Sequence, residues 1–167
     1  MRIAIAGAHA TGKSTLVAEL AWALPGHPVV EEPYYQFEAE GHAFAERPAL
    51  EDVEAQLARS LRDVSAPRAA VIFDRSPADF LAYLLAHRDG GRADVARWFP
   101  DIGDAVRTLD LVVFVPIERP DRVVAPEAPR LRRQVDAALR ARGCSGFGPG
   151  RRGVGMTVGD QSVCVPQ

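Results

Sequence analysis

Lysine is almost missing from this chain. Lys13 stands alone among the 20 Lys and Arg residues, so every other long cationic side chain is an arginine. Alanine, glycine and proline abound, as GC-rich coding would produce. Under such a bias, one retained lysine marks a place where a compact ammonium does what a planar guanidinium fork cannot. Cysteine is scarce as well. Cys144 and Cys164 are the only two, too few for a disulfide framework and without metal-ligand spacing, which suits a reducing compartment. No apolar run is long enough to span a bilayer, and no leader precedes the first strand, so a cytoplasmic protein with no membrane partner is expected. The net charge of −2 gives no general nucleic-acid surface. No internal repeat is visible, and 167 residues suit one domain with a buried core.

What is present is an alternation of short apolar runs and amphipathic stretches. Arg2 to Ala6, Pro28 to Glu31, Ala70 to Phe73 and Leu111 to Val115 read as strands built on continuous apolar runs, as strands of a parallel sheet are. Between them lie helical patterns. Leu16, Val17, Leu20 and Leu24 mark the first, which Pro25 and Gly26 end. Residues 34 to 45 are ambiguous and read as a partly exposed helix. Val53, Leu57, Leu61 and Val64 mark a helix that stops before Pro67. Ser76 caps a helix with Pro77 at its first position and Asp79 at its third, running to Gly90 and Gly91. Val95 to Val106 gives a helix interrupted near Pro100, and Glu127 to Ala141 an arginine-rich one. The pattern predicts an α/β domain with a parallel sheet covered by helices on both faces.

The most specific signal is Gly7-Ala8-His9-Ala10-Thr11-Gly12-Lys13-Ser14, a full match to G-x-x-x-x-G-K-[ST] with a strand before it and a helix after it. Glycines let the backbone fold tightly with its N–H groups turned inward, and the following helix adds its positive end. These residues, with Thr15 next to them, are the expected contacts of a purine nucleoside triphosphate, read as ATP with Mg2+. Lys13 should reach the β- and γ-phosphates and Ser14 should ligate the metal. Asp74 ends the third strand, where a carboxylate can hold Mg2+ or its waters; it can equally cap the next helix. Arg75 follows it, so no Asp-Glu pair is there to activate water as in motor ATPases. An Asn-Lys-x-Asp guanine motif is impossible, since the one lysine is already placed.

The stretches Gly7 to Ser14, Val30-Glu31-Glu32-Pro33 and Phe73-Asp74-Arg75-Ser76 together resemble the layout of P-loop nucleoside kinases. Deoxyribonucleoside kinases carry Glu-Pro after the second strand and Glu-Arg-Ser after the third; here Asp74 stands for that Glu. The chain is also similar to the AAA-named small ATP-binding family that includes the NadR-type ribosylnicotinamide kinase domain. The resemblance covers residues 1 to 141. It implies a three-layer P-loop fold whose sheet of four strands normally has five, with a lid over about residues 116 to 140. It implies that Glu32 accepts the acceptor's proton or holds its sugar, with Glu31 a competitor because the register of the strand is open. It places Asp74 on the metal and Arg75 on a phosphate or the substrate, an ion pair being the alternative. One or two of Arg119, Arg122, Arg130, Arg132 and Arg133 would reach the phosphates from the lid. Tyr34, Tyr35 and Phe37 would either stack on a base or belong to the core.

The expected activity is transfer of the γ-phosphoryl group of ATP to a hydroxyl of a small, nucleoside-like acceptor. A nucleotide-binding regulator with slow hydrolysis and an inactive remnant are the alternatives; oligomeric state is not encoded in any pattern here. The remnant arises because residues 143 to 167 form a glycine- and arginine-rich tail beyond a domain of residues 1 to 142. That tail holds both cysteines and Asp160 as its sole acid. It reads as disordered or as the product of a shifted frame, with Val154 to Val158 and Val163 to Val165 at best weak strand candidates, and without a robust strand in it the fourth strand keeps an open edge.

Overall fold

The computed structural model describes residues 1–45, 49–87, 94–123, 128–142, 154–158 and 161–165. In chain order the elements are β1 (Arg2–Ala6), α1 (Lys13–Ala23), β2 (Val29–Val30), α2 (Pro33–Ala39), α3 (Leu50–Ser65), β3 (Val71–Asp74) and α4 (Pro77–Ala86). A 3-10 turn at Val95–Trp98 leads into α5 (Phe99–Arg107), followed by β4 (Leu111–Phe114), α6 (Pro129–Arg142), β5 (Val154–Val158) and β6 (Gln161–Val165).

Alternation along β1 shows how the layers form. Ile3 and Ile5 turn to one face and pack with Val17, Leu16 and Leu20 of α1. Ala4, between them, turns to the other face and packs with Val64 of α3, Phe73 of β3 and Ala105 of α5. Both faces of the strand are therefore apolar, which is why it reads as an unbroken hydrophobic run. A separate cluster of Leu57, Phe80, Leu81, Leu84 and Ile102 binds α3, α4 and α5 to one another. Helix α4 starts as the sequence predicts: the Asp79 carboxylate accepts from the Ser76 amide and hydroxyl at 2.8 Å each, and Pro77 occupies the first turn. Gly90 and Gly91, expected to end this helix, lie outside the described residues; its last residue is Ala86.

The strand order is β2-β3-β1-β4-β6-β5. The first four are parallel, as the alternation of strands and helices implies. The chain leaves β1 toward β2 and β3 on one side, then crosses from β3 to β4 on the other. The carboxyl ends of β1 and β3 thus face a crevice at the point where the order reverses, the usual ligand position in such sheets.

One expectation needs correction. The edge of β4 is not open. Strand β6 pairs with it antiparallel, Val112 opposite Cys164 and Phe114 opposite Ser162, and β5 pairs antiparallel with β6. The sheet is six-stranded and mixed. Valines at 154, 158, 163 and 165, with Met156, have a two-residue spacing too short and too glycine-broken to read as a buried strand, yet sufficient for a hairpin laid on an existing edge.

Candidate functional site

The loop from Gly7 to Gly12 leaves the end of β1 and enters α1. Gly7 has φ +156, and a Cβ there would collide with the Val115 carbonyl oxygen at the end of β4. Gly12, the residue before α1, has φ +87 in open space, and it brings no side chain to cap the helix. Ala10 also lies in the left-handed region, at φ 55. The first amides of α1 therefore face outward uncapped, an arrangement suited to an anion.

Lys13 is folded inward. It is 5% exposed, and Nζ donates to the Ala8 carbonyl at 2.5 Å, which also accepts from the Thr11 hydroxyl at 3.1 Å. Burial, aided by the positive charge of Arg75, lowers its pKa from 10.5 to about 8 against the pull of Asp79, Glu32 and Asp74. Ser14 and Thr15 are exposed at the start of α1, and the Ser14 hydroxyl donates to Asp74 Oδ2 at 3.1 Å.

The pairing of Ser14 with Asp74 supplies the donors a hard divalent cation prefers. Asp74 is 8% exposed, and its other oxygen, Oδ1, is buried without a hydrogen-bond partner among the described residues. Burial, and then the nearby Glu32 charge, push the Asp74 carboxyl above its ordinary pKa. A cation beside Oδ1 would relieve both effects, so these residues fit Mg2+. No cluster of three or more His, Cys, Asp or Glu side chains among the described residues could hold a metal alone. A metal here would take its remaining ligands from phosphate and water.

Of the two glutamates after β2, Glu32 turns inward and Glu31 is exposed. Glu32 Oε1 lies 2.7 Å from Arg75 Nε. Arg75 is not the surface residue its sequence context allows. It is 7% exposed, with φ 88, and its amide donates to the Ile5 carbonyl at 3.1 Å. Its Nη1 donates to the Gly7 carbonyl at 3.2 Å and lies 3.8 Å from Asp79 Oδ1. Its guanidinium carbon sits 5.3 Å from the centre of the Tyr83 ring. The left-handed backbone is held by these side-chain contacts.

Among the five arginines expected in a lid the structure distinguishes one. Arg119, Arg122, Arg130 and Arg133 are exposed. Arg132 is 2% exposed, and donates from Nε to the His9 carbonyl and from Nη2 to the Ala10 carbonyl, both at 2.9 Å. It also pairs with Asp121, whose carboxyl this hydrogen bond holds below its usual range. Asp136 ties the same region to α6: it accepts from the Ile117 amide at 2.8 Å and pairs with Arg140 at 2.7 Å. Tyr34 and Phe37 are half-buried and Tyr35 exposed. Tyr34 stacks on Phe44 at 4.8 Å, and Phe37 lies under the Arg59 guanidinium at 4.8 Å. They form an aromatic cluster at the surface rather than part of the central core.

Two participants escape sequence reasoning. Asp79, fully buried, accepts from the Gly7 amide at 2.6 Å besides capping its own helix. Tyr83 accepts from the His9 amide at 3.0 Å through its hydroxyl. The available signal is the four-residue spacing of residues 75, 79 and 83 at the start of a helix that is otherwise apolar.

A family model described as AAA domain matches residues 2–145. No curated protein matches the sequence. Among solved structures, NadR protein in complex with NAD and AMP-PNP superposes with TM-score 0.58 and 17% identity over 87% of this chain. NadR protein in complex with NR gives 0.56 and 16% over 84%. Deoxyadenosine kinase from M. mycoides, with dCMP and dCDP bound, gives 0.55 and 17% over 85% of each chain. This chain spans 42% and 41% of the two NadR chains. At such identities the likeness is one of fold.

Proposed function

We propose, since the chain belongs to the AAA domain family, that it is an ATP-dependent phosphotransferase with a small, nucleoside-like acceptor. The observation that carries this reading is the convergence of Ser14 and Asp74, with Asp74 Oδ1 buried and unpartnered among the described residues, beside a buried lysine at the start of α1. The solved structures of similar fold support the substrate classes, because their own ligands are NAD with AMP-PNP, NR, and dCMP with dCDP.

In this reading the amides around Gly12 and the Lys13 ammonium bind the β- and γ-phosphates of ATP. Ser14 and Asp74 would hold Mg2+, which would screen the phosphate charge when bound. Glu32 orients the acceptor hydroxyl and takes its proton. The acceptor oxygen bonds to the γ-phosphorus as the bond from that phosphorus to the β,γ-bridging oxygen breaks, and ADP leaves. Arg75 keeps Glu32 in place instead of contacting phosphate, its nitrogens being committed to Glu32 and Gly7. Arg132, whose nitrogens are likewise committed to the His9 and Ala10 carbonyls and to Asp121, holds α6 against the loop.

The test is ADP release with Mg·ATP across a panel of nucleosides. Release that depends on one acceptor class supports the phosphotransferase. Slow release indifferent to acceptor points to a nucleotide-dependent regulator and refutes it, as does the absence of any release.

A further inference from the structure

Residues 75, 79 and 83 form one line at and along the start of α4, and all three touch the first half of the phosphate loop. Arg75 meets the Gly7 carbonyl, Asp79 the Gly7 amide and Tyr83 the His9 amide. The Tyr83 hydroxyl also lies 3.0 Å from His9 Nδ1. Two amides of a loop whose amides would otherwise turn toward an anion are therefore spoken for by side chains of a neighbouring helix. These contacts join positions 72 and 74 residues apart, so they are not a local by-product of the loop motif.

The chemistry at Asp79 is exacting. Its Oδ1 receives the Gly7 amide, while its Oδ2 receives the Ser76 amide and hydroxyl. Both oxygens face N–H donors, and only a carboxylate presents an acceptor on each side. An asparagine would turn its NH2 group at one of those amides whichever way it sat. The carboxylate also faces Arg75, which in turn meets Glu32. A single buried chain thus runs from Glu32 through Arg75 and Asp79 to Gly7.

We propose that Asp79 and Tyr83 are positioning residues for the triphosphate: they fix the shape of the loop from Gly7 to His9, so that its remaining amides and Lys13 converge on the phosphates. The inference rests on the nucleotide-site reading above. It goes beyond the loop motif, because it assigns part of the phosphate site to α4.

Calorimetric titration with Mg·ATP at 20 °C, paired with the melting temperature of each ligand-free variant, tests this. Tyr83→Phe keeps the ring against Arg75 and removes only the hydroxyl, and should raise the Kd for Mg·ATP about fivefold. Asp79→Asn should raise it tenfold or more. A merely structural role would lower the melting temperature and leave Kd unchanged in the folded protein. Wild-type affinity in Tyr83→Phe and, where it folds, in Asp79→Asn overturns the proposal. Should Asp79→Asn not fold, Tyr83→Phe decides alone. Lys13→Ala separates the two levels. Loss of binding there with wild-type Kd in the α4 variants refutes the positioning role alone, whereas unchanged binding in Lys13→Ala refutes the nucleotide site itself.

Discussion

Lys13 should make the free protein less stable than it would be without it. The side chain is 5% exposed, and its pKa falls from 10.5 to about 8. At 1.36 kcal/mol per unit, holding the charged ammonium in that site costs about 3 kcal/mol at pH 7. The direction follows from proton counting. Between pH 8 and 10.5 the unfolded chain binds more protons at this position than the folded one, so stability contributed by this group rises over that window. Below pH 8 both states are protonated and the cost is fully present. Lys13→Met removes the charge and keeps the length. It forfeits the hydrogen bond to the Ala8 carbonyl, worth about 1 kcal/mol, for a net gain of about 2 kcal/mol. For a chain of this size that is a rise of roughly 4–8 °C in melting temperature. The measurement is thermal unfolding of both proteins at pH 7 and pH 10, with Mg·ATP titration alongside. The variant should melt higher at pH 7, lose its advantage at pH 10 and fail to bind Mg·ATP. A variant less stable than wild type at pH 7, or a difference that does not change with pH, would refute the assignment of a strained lysine.

Other substitutions probe the neighbouring groups. Asp74→Asn should remove the Mg2+ dependence of ATP affinity, seen as titrations that coincide with and without the metal. Glu32→Gln should leave Mg·ATP binding within a few-fold and abolish acceptor-dependent ADP release; because it uncouples Arg75 from one partner, it should also destabilise the fold by about 2–4 kcal/mol in urea unfolding. Gly7→Ala, which drives a Cβ against the Val115 carbonyl, should prevent folding or lower stability by at least about 3 kcal/mol. Arg132→Met should leave the sheet intact by circular dichroism and increase proteolysis between residues 117 and 123, since it removes the partner of Asp121.

How much of this was legible beforehand depends on how local each feature is. The motif from Gly7 to Ser14 is eight consecutive residues, and its two glycines take the positive φ that such a loop asks of them. β1 and β3 were readable because burial on both faces leaves an unbroken apolar run; β2, at the sheet edge with Val29 exposed, was read from a shorter one. Glu32 could not be told from Glu31, because neighbouring residues at a strand end face opposite ways and only the register decides. The burial of Arg75 was hidden too, since its partners Glu32, Gly7 and Tyr83 are brought to it by the sheet and not by the sequence. Asp79 was read as the third residue of a helix capped by Ser76, and it completes that cap; its second bond, to an amide 72 residues away, has no local signature. The hairpin in the tail showed only as two weak strand candidates, because strands that borrow an existing edge need little hydrophobicity of their own.

That hairpin divides the molecule into parts of unequal permanence. Strand β6 meets β4 over three residue pairs, whereas β5 and β6 meet each other over five. The two strands form a nearly self-contained unit, joined to the parallel sheet by a short seam. Amide hydrogens of β1 and β3 can exchange with solvent only when the centre of the sheet opens, while those along the seam need only the hairpin to lift away. Each such excursion uncovers the side of β4, and at high concentration another chain can lay its own strand there. Storage life of the protein would then follow the frequency of this small opening instead of its global stability, and shortening the interval between excursions would show first as slow, concentration-dependent association of otherwise native molecules.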